Sequence, residues 1–234
     1  SPFDSSPNIG SIGHAIDIGQ RVIPGPYVPL IVGAPILGRY CAFGNLFARS
    51  GLDTAPYRLD RHPTMSRHPV TPMDEADLRC HLARQTECPI ALIDVTTLDK
   101  ITSDDLDEAC GSTIEQLLQP ALPNHDHQIV LFDTVTDRHL ATVGQLVWEL
   151  ARQHGSNRQD SKQQGPLFVA GSSGVEYALT AHWQSTGLLA ETTSSCSITP
   201  VDRVAVFSGS CSPVTERQIG WALDHGFVEI ALDT

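Results

Sequence analysis

The chain has 234 residues, with 15 lysines and arginines against 27 aspartates and glutamates, a formal net charge of −12. Its hydrophobic fraction of 41% and charged fraction of 18% are those of an ordinary globule able to bury a core, which excludes disordered and fibrous classes. The acidic balance argues against nonspecific nucleic-acid binding or attachment to an anionic membrane, and no apolar run approaches the ~18 residues a membrane span needs.

In chain order, Ser6-Pro7-Asn8-Ile9-Gly10-Ser11-Ile12-Gly13 reads as a glycine-rich turn leading to a short helix. Tyr27–Ala34 has the pattern of a strand, and Phe43–Arg49 that of an edge strand or hairpin arm. The run Arg61-His62-Pro63-Thr64-Met65-Ser66-Arg67-His68-Pro69-Val70-Thr71-Pro72-Met73 then carries two His-Pro steps and no apolar periodicity. A loop this long inside a compact domain is usually functional. It offers cations and hydroxyls, which suit an anionic, oxygen-rich ligand: Arg61 and Arg67 can bind a carboxylate bidentately, and Thr71 adds a hydroxyl. Taken singly, His62 and His68 read first as structural histidines held by the flanking prolines; the loop as a whole points to a ligand.

From residue 74 the pattern is regular. Asp74–Gln85 reads as a helix capped by Asp74 with Asp77 three residues on. Pro89–Asp94 is a buried strand, Ser103–Leu118 a helix with an acidic first turn, Gln128–Asp133 a strand and His139–His154 a helix. Gly155–Gly165 is a polar loop, Pro166–Ala170 a strand, and Gly171-Ser172-Ser173-Gly174 opens a helix reaching about Thr186. Near-continuous apolar strands alternating with amphipathic helices predict an α/β, Rossmann-like parallel sheet with helices on both faces. Residues 187–202, rich in Ser and Thr, read as a linker. A fresh βαβ unit follows: strand Arg203–Phe207, turn 208–213, helix Val214–His225 and strand Phe227–Leu232. The start at Ser1 without Met and the stop just after a strand-like run lead us to expect an internal piece of a longer protein.

Two turns share one design. In Gly171-Ser172-Ser173-Gly174 and in Ser208-Gly209-Ser210-Cys211-Ser212, a strand leads through small hydroxylated residues into a helix N-terminus. Such a turn suits phosphate or carboxylate and falls where open parallel sheets bind ligands; it also suits plain helix capping. Pro213 is well placed at a helix start. Sharper signatures are missing: there is no P-loop and no dinucleotide fingerprint, and Val175 occupies the place where a nucleophile elbow needs glycine. Asn124-His125-Asp126-His127 fits a solvated loop better than a metal site, so no metal ligand is assigned. A metal-dependent hydrolase or aldolase using His62, His68, His125 and His127 is the weakest alternative. Asp94 and Asp133 end strands, each suited equally to orienting a substrate hydroxyl or capping a turn. Six cysteines without a Cys-x-x-Cys pair read as reduced, mostly buried thiols of a cytoplasmic protein.

The run from Arg61 to Leu78 resembles the N-terminal domain of the four-carbon acid sugar kinases, a family long catalogued as a domain of unknown function. So do Phe3-Asp4-Ser5-Ser6-Pro7, Gly44-Asn45-Leu46-Phe47-Ala48-Arg49 and Gly171-Ser172-Ser173-Gly174-Val175-Glu176-Tyr177-Ala178-Leu179. Ser208-Gly209-Ser210-Cys211-Ser212-Pro213-Val214-Thr215 with Gln218-Ile219 is similar to the start of that family's nucleotide-binding domain. The resemblance implies a substrate domain over 1–186, a linker over 187–202, and the start of an ATP-binding domain over 203–234. It implies an ATP- and Mg2+-dependent kinase that phosphorylates a terminal hydroxyl of a sugar acid such as 3-oxo-tetronate, threonate or erythronate. Arg67, His68, Thr71, Gly171, Ser172, Ser173 and Gly174 would face the acid, and Ser210 and Ser212 the ATP phosphates. The partners implied are small molecules, not nucleic acid or membrane, and a homodimer is compatible with the resemblance. The family's Asp-Asp-x-Thr-Gly turn and glycine-rich ATP loop are not in this chain, so no general base is assigned. The run Arg39–Asn45 and the doubled His-Pro step fit a sub-branch whose substrate is a branched or longer oxo acid, such as 3-oxo-isoapionate. A non-catalytic, acid-binding or effector-like relative is the other alternative.

Overall fold

A computed structural model of the chain describes residues 11–51, 54–101, 128–156, 166–189, 199–209 and 212–231. It divides into two units, residues 1–191 and 192–234. In chain order the first unit runs α1 (Ile12–Val22), β1 (Tyr27–Ile31), β2 (Arg39–Ala42), β3 (Asn45–Arg49), β4 (Pro56–Arg58), α2 (Leu78–Leu82), β5 (Ile90–Ile93) and α3 (Val95–Leu98). It continues through β6 (Gln128–Phe132), α4 (Asp137–Ser156), β7 (Ala170–Gly171) and α5 (Ser173–Ser185). The predicted helix Ser103–Leu118, the tetrad Asn124–His127 and most of the predicted loop 155–165 and linker 187–202 lie outside the described residues.

The apolar runs at 27–31, 90–93 and 128–132 form a parallel sheet in the order β5-β6-β1-β7. Pro29 removes a donor from the central strand β1, and the ladder to β7 begins just past it, at Leu30↔Ala170 and Ile31↔Gly171. The strand expected over Pro166–Ala170 therefore shortens to Ala170–Gly171, although the partly buried residues before it pack in strand-like alternation. Phe168 packs against one core cluster, and Leu167 and Val169 against the other.

Side chains alternate between the two faces with the period of two that a strand imposes. Val28, Leu30, Ile129 and Leu131 join Ile16 of α1 and Leu78 and Leu82 of α2 in one cluster. Ile31, Val130 and Phe132 join Leu98 of α3, Leu140, Val143, Leu146, Val147 and Leu150 of α4, and Ala178 of α5 in the other. The expected parallel sheet covered on both faces is thus present. Helices α4 and α5 touch backbone to backbone, since a Cβ on Gly144 would stand 1.9 Å from the Ala178 carbonyl oxygen.

Burial pushes the pKa of His81 in α2 and of His182 in α5 below the ordinary histidine value, and Arg84 adds to the effect at His81. Both rings fold neutral, so on acidification the unfolded chain takes up protons that the native chain refuses. Their contribution to stability is complete above about pH 6.5, the unfolded histidine value, and is lost as pH falls below it. Thermal midpoints should decline from about pH 6.5 downward, and His81→Asn with His182→Asn should flatten that decline. A midpoint that rises over the same interval would contradict it.

Strands β2, β3 and β4 form a separate antiparallel sheet in that order. Ala42 pairs with Asn45 across a two-residue turn in which Phe43 (φ 50°) and Gly44 (φ 78°) are both left-handed, the turn form whose twist suits a hairpin. Phe43–Arg49 is thus a hairpin arm. The helix expected over Asp74–Gln85 is confined to Leu78–Leu82, and its cap is Asp77, which accepts from Arg79 N at 3.0 Å, not Asp74. Asp77 is held extended by its bridge to Asn45, which stops the helix from starting earlier.

In the second unit, helix α6 (Pro213–Asp224) forms as expected, with Pro213 in its first turn and Ser212 as N-cap. The flanking runs 203–207 and 227–231 form no strands, contrary to the expected βαβ unit. A strand needs a ladder partner, and these runs are exposed: Phe207 is 89% and Val228 87% accessible. No described helix is long and apolar enough to cross a membrane.

Candidate functional site

In an open parallel sheet the carboxyl ends of adjacent strands open a ligand crevice where their following helices lie on opposite faces. The chain leaves β1 toward α2 on one face, whereas β6 and β7 lead to α4 and α5 on the other. Both sides of the β1 exit therefore qualify. On the β6 side the crevice is filled by the hairpin: Cys41 and Thr134 exchange backbone bonds of 2.9 Å in both directions. A Cβ on Gly33 would meet Thr134 Oγ1 at 1.9 Å, so side-chain volume has no place there.

On the β7 side lies the turn 171–174. A Cβ on Gly171 would stand 2.2 Å from the Ile31 carbonyl oxygen, and one on Gly174 2.4 Å from that of Gly33. The two glycines are therefore explained by close backbone approach. Ser172 is the N-cap of α5, yet its side chain makes no capping bond. The Ser172 and Ser173 hydroxyls and the first amides of a 13-residue helix are what this exit offers a ligand.

The loop 61–73 contains two copies of one local device. His62 Nδ1 accepts from the amides of Thr64 (3.2 Å) and Met65 (3.1 Å). His68 Nδ1 accepts from the amides of Val70 (3.4 Å) and Thr71 (3.1 Å), with Thr71 Oγ1 also at 3.1 Å. In each His-Pro-x-x step the ring caps the two amides that follow the proline. A ring that accepts at Nδ1 carries its proton on Nε2, so each imidazole presents Nε2–H away from the loop backbone. His62 is buried against Tyr57, with ring centroids 6.0 Å apart, and serves structure. His68 is half-buried. Two short 3-10 turns, Leu59–Arg61 and Met65–Arg67, and the 2.9 Å bond from Met73 N to Met65 O give the expected irregular loop a fixed shape.

The arginines divide. Arg58 pairs with Asp60, Arg79 with Asp77 at 2.6 Å and Arg84 with Asp74 at 2.8 Å. Arg67 is exposed; its backbone amide donates to the Thr64 carbonyl at 3.2 Å, but its guanidinium has no hydrogen-bond or ion-pair partner among the described residues. The structure thus brings His68 and Thr71 together and leaves the Arg67 guanidinium beside them unpaired. Among the described residues no hydrogen bond joins this loop to the turn 171–174. What they share is a core cluster: Met73 and Ala76, at the loop's end, pack in the cluster that holds Val32 and Ala170.

The two carboxylates at strand exits are engaged by backbone. Asp94 caps α3, accepting from Thr97 N at 2.8 Å, and the Thr96 hydroxyl at 2.8 Å holds it below the usual carboxylate range. Asp133, at 0% exposure, accepts from Phe43 N (2.5 Å), Gly44 N (2.9 Å) and Val95 N (3.2 Å). Of their two sequence-level roles, capping is the one the structure gives. Sequence reasoning missed His139, which accepts from Val135 N at Nδ1 (3.2 Å) and reaches Asp99 from Nε2 (3.1 Å), because Asp99 lies 40 residues away with no motif linking the two.

Residues 1–179 match the model of the sugar-binding N-terminal domain family. The chain belongs to that family. This sugar-binding domain is 51% identical over 233 residues to the 3-oxo-isoapionate kinase of Paraburkholderia graminis, covering 100% of the chain and 44% of the kinase. It is 23% identical over 225 residues to the 3-oxo-tetronate kinase of Salmonella typhimurium, covering 96% of the chain and 45% of that protein. A crystal structure titled a putative tRNA synthase from Salmonella typhimurium LT2 shares the fold at TM-score 0.62 and 24% identity, over 95% of this chain and 44% of that one. The chain spans less than half the length of the relatives it matches. These matches bear out the resemblance to the four-carbon acid sugar kinases.

Of the expected ATP contacts in the chain's second unit, Ser210 lies outside the described residues, and the Ser212 hydroxyl accepts from Val214 N at 3.2 Å. Among the described residues no three His, Cys, Asp or Glu side chains gather as a metal site. Among the described residues Cys41, Cys80 and Cys88 form no disulfide; Cys41 is buried, Cys88 half-buried and Cys80 exposed.

Proposed function

We propose that the protein carrying this domain is an ATP-dependent sugar-acid kinase whose preferred acceptor is a branched oxo acid, 3-oxo-isoapionate, ahead of 3-oxo-tetronate, threonate or erythronate. The observation that carries this reading is the 51% identity along the whole chain to a 3-oxo-isoapionate kinase, twice the level reached with the 3-oxo-tetronate kinase. The site geometry supports it. Arg67 and the His68 Nε2–H are two donors suited to a carboxylate, and the Ser172 and Ser173 hydroxyls and Thr71 suit a polyol chain.

In the reaction the acceptor hydroxyl oxygen bonds to the γ-phosphorus of ATP as the bond to the ADP oxygen breaks, and the hydroxyl proton leaves. Such a transfer depends on alignment and charge neutralisation more than on covalent help from the protein. Mg2+ supplies charge neutralisation on the ATP phosphates, with few protein ligands of its own. Asp94 and Asp133 are committed to backbone amides, so neither takes the general-base role. Arg67, His68, Thr71 and residues 171–174 hold the acid, and Ser210 and Ser212 the nucleotide.

The complete gene product should release ADP in a coupled assay, with the highest kcat/KM on 3-oxo-isoapionate. Silence on all four acids would remove the kinase and leave an acid-binding relative. A preference for 3-oxo-tetronate would remove the branched acceptor.

A further inference from the structure

We infer that Asp133 is a positioning residue for the acid: its buried carboxylate fixes the Phe43–Gly44 turn, and that turn sets the place of the His68 loop against the sheet. The inference rests on the proposed acid-binding role of that loop.

Asp133 follows β6, at the carboxyl edge where ligands bind. Its oxygens take two consecutive amides of one turn, Phe43 and Gly44, and the Val95 amide at the start of α3. The Cys41 thiol also hydrogen-bonds it. The Arg79 guanidinium also lies over Gly44, but the side chain that accepts from both tip amides is Asp133.

The tip is costly to form. Phe43 is a bulky residue at φ 50°, and it is 55% exposed, so packing does not compensate the strain. The amide bonds to Asp133 do. From the tip the order passes outward along backbone. The Gly44 carbonyl accepts from Leu78 N (2.9 Å), and Leu46 N donates to the Ala76 carbonyl (2.9 Å). Three residues before Ala76, Met73 donates to Met65 (2.9 Å), whose own carbonyl accepts from His68 N (3.3 Å). Asp133 thus stands at one end of a path of backbone hydrogen bonds, joined through the chain from Ala76 back to Met73, that ends on the His68 amide and so places the imidazole, without Asp133 touching the acid itself.

Asp133→Asn keeps the shape but turns an N–H2 group toward amide donors, so at least one of these bonds fails. Gly44→Ala loosens the same turn from outside the carboxylate, because a Cβ there meets φ 78° and the Arg79 guanidinium at 3.1 Å. Two measurements on each variant decide the matter: amide hydrogen exchange on this chain, and calorimetric titration with 3-oxo-isoapionate. We expect exchange at residues 43–46 and 64–73 to accelerate at least about tenfold while the β6 amides stay protected, and acid affinity to fall about tenfold. Nucleotide KM in the complete protein should stay within about twofold while acid KM rises. Unchanged exchange at 64–73 in both variants overturns the tether. Acceleration that includes β6 makes Asp133 a general stability residue and overturns the proposal equally. A loosened loop with unchanged acid affinity overturns it from beneath, by removing the acid from this loop.

Discussion

Gly33→Ala should lower the thermal midpoint by about 10 °C or more. The added methyl would lie 1.9 Å from Thr134 Oγ1, 2.8 Å from the Thr134 carbonyl oxygen and 3.1 Å from Cys41 N. The hydroxyl can rotate away, but the carbonyl and the amide are backbone, locked by the reciprocal Cys41–Thr134 bonds. Relief therefore means parting the hairpin from the sheet. Overpacking costs about 1–3 kcal/mol and each forfeited buried bond about 0.5–1.5 kcal/mol, so roughly 3–5 kcal/mol is at stake in a fold worth about 5–15. At this chain length that converts to roughly 10 °C or more. Adding Thr134→Ala to Gly33→Ala should recover only part of the loss, and this cycle isolates the hydroxyl from the backbone clash. A single variant melting within about 2 °C of the parent would show that the crevice has room that the geometry denies.

The second large effect concerns the acid. In the complete protein, Arg67→Ala and His68→Ala should each weaken acid affinity about 10- to 100-fold, the worth of one charge-assisted bond at about 1.5–3 kcal/mol, with nucleotide affinity nearly unchanged. His68→Ala should be the more severe. It deletes a donor and also uncaps the amides of Val70 and Thr71. His68→Asn separates these contributions, because an asparagine oxygen can accept from amides two and three residues on, as in an Asx turn. Full recovery in His68→Asn would assign His68 to loop shape alone; persistent loss would assign Nε2–H to the ligand. Ser212→Ala should disturb nucleotide binding instead. If both sets of variants changed affinity for the same ligand, the division of labour between the two regions would be wrong.

Much of the sheet is legible in the sequence because three of its strands are continuous apolar runs, and a strand buried on both faces leaves no other pattern. The hairpin is half legible. Gly44 marks a turn, but Phe43 at φ 50° is a residue no turn rule nominates, and the carboxylate that holds it lies 90 residues away. Asp74 fails as a helix cap for a similar reason: the bridge between Asn45 and Asp77 extends the chain over the first turn that local chemistry favours. The runs around 203–207 and 227–231 have strand composition without strand pairing, a reminder that β structure belongs to pairs of segments. Within the site, the His-Pro steps are visible as residues, but their common use of Nδ1 toward the next two amides appears only in three dimensions.

The hairpin's seat beside β1 has a consequence for where a guest can dock. Topology grants this architecture a berth on either flank of its middle strand, and one flank has been walled up by the protein's own chain. A ligand at this rim is thereby pushed sideways, over the serines that follow β7, where glycine-thin backbone leaves headroom. Selectivity for a bulkier acid would then be set by how far the wall leans over the remaining opening.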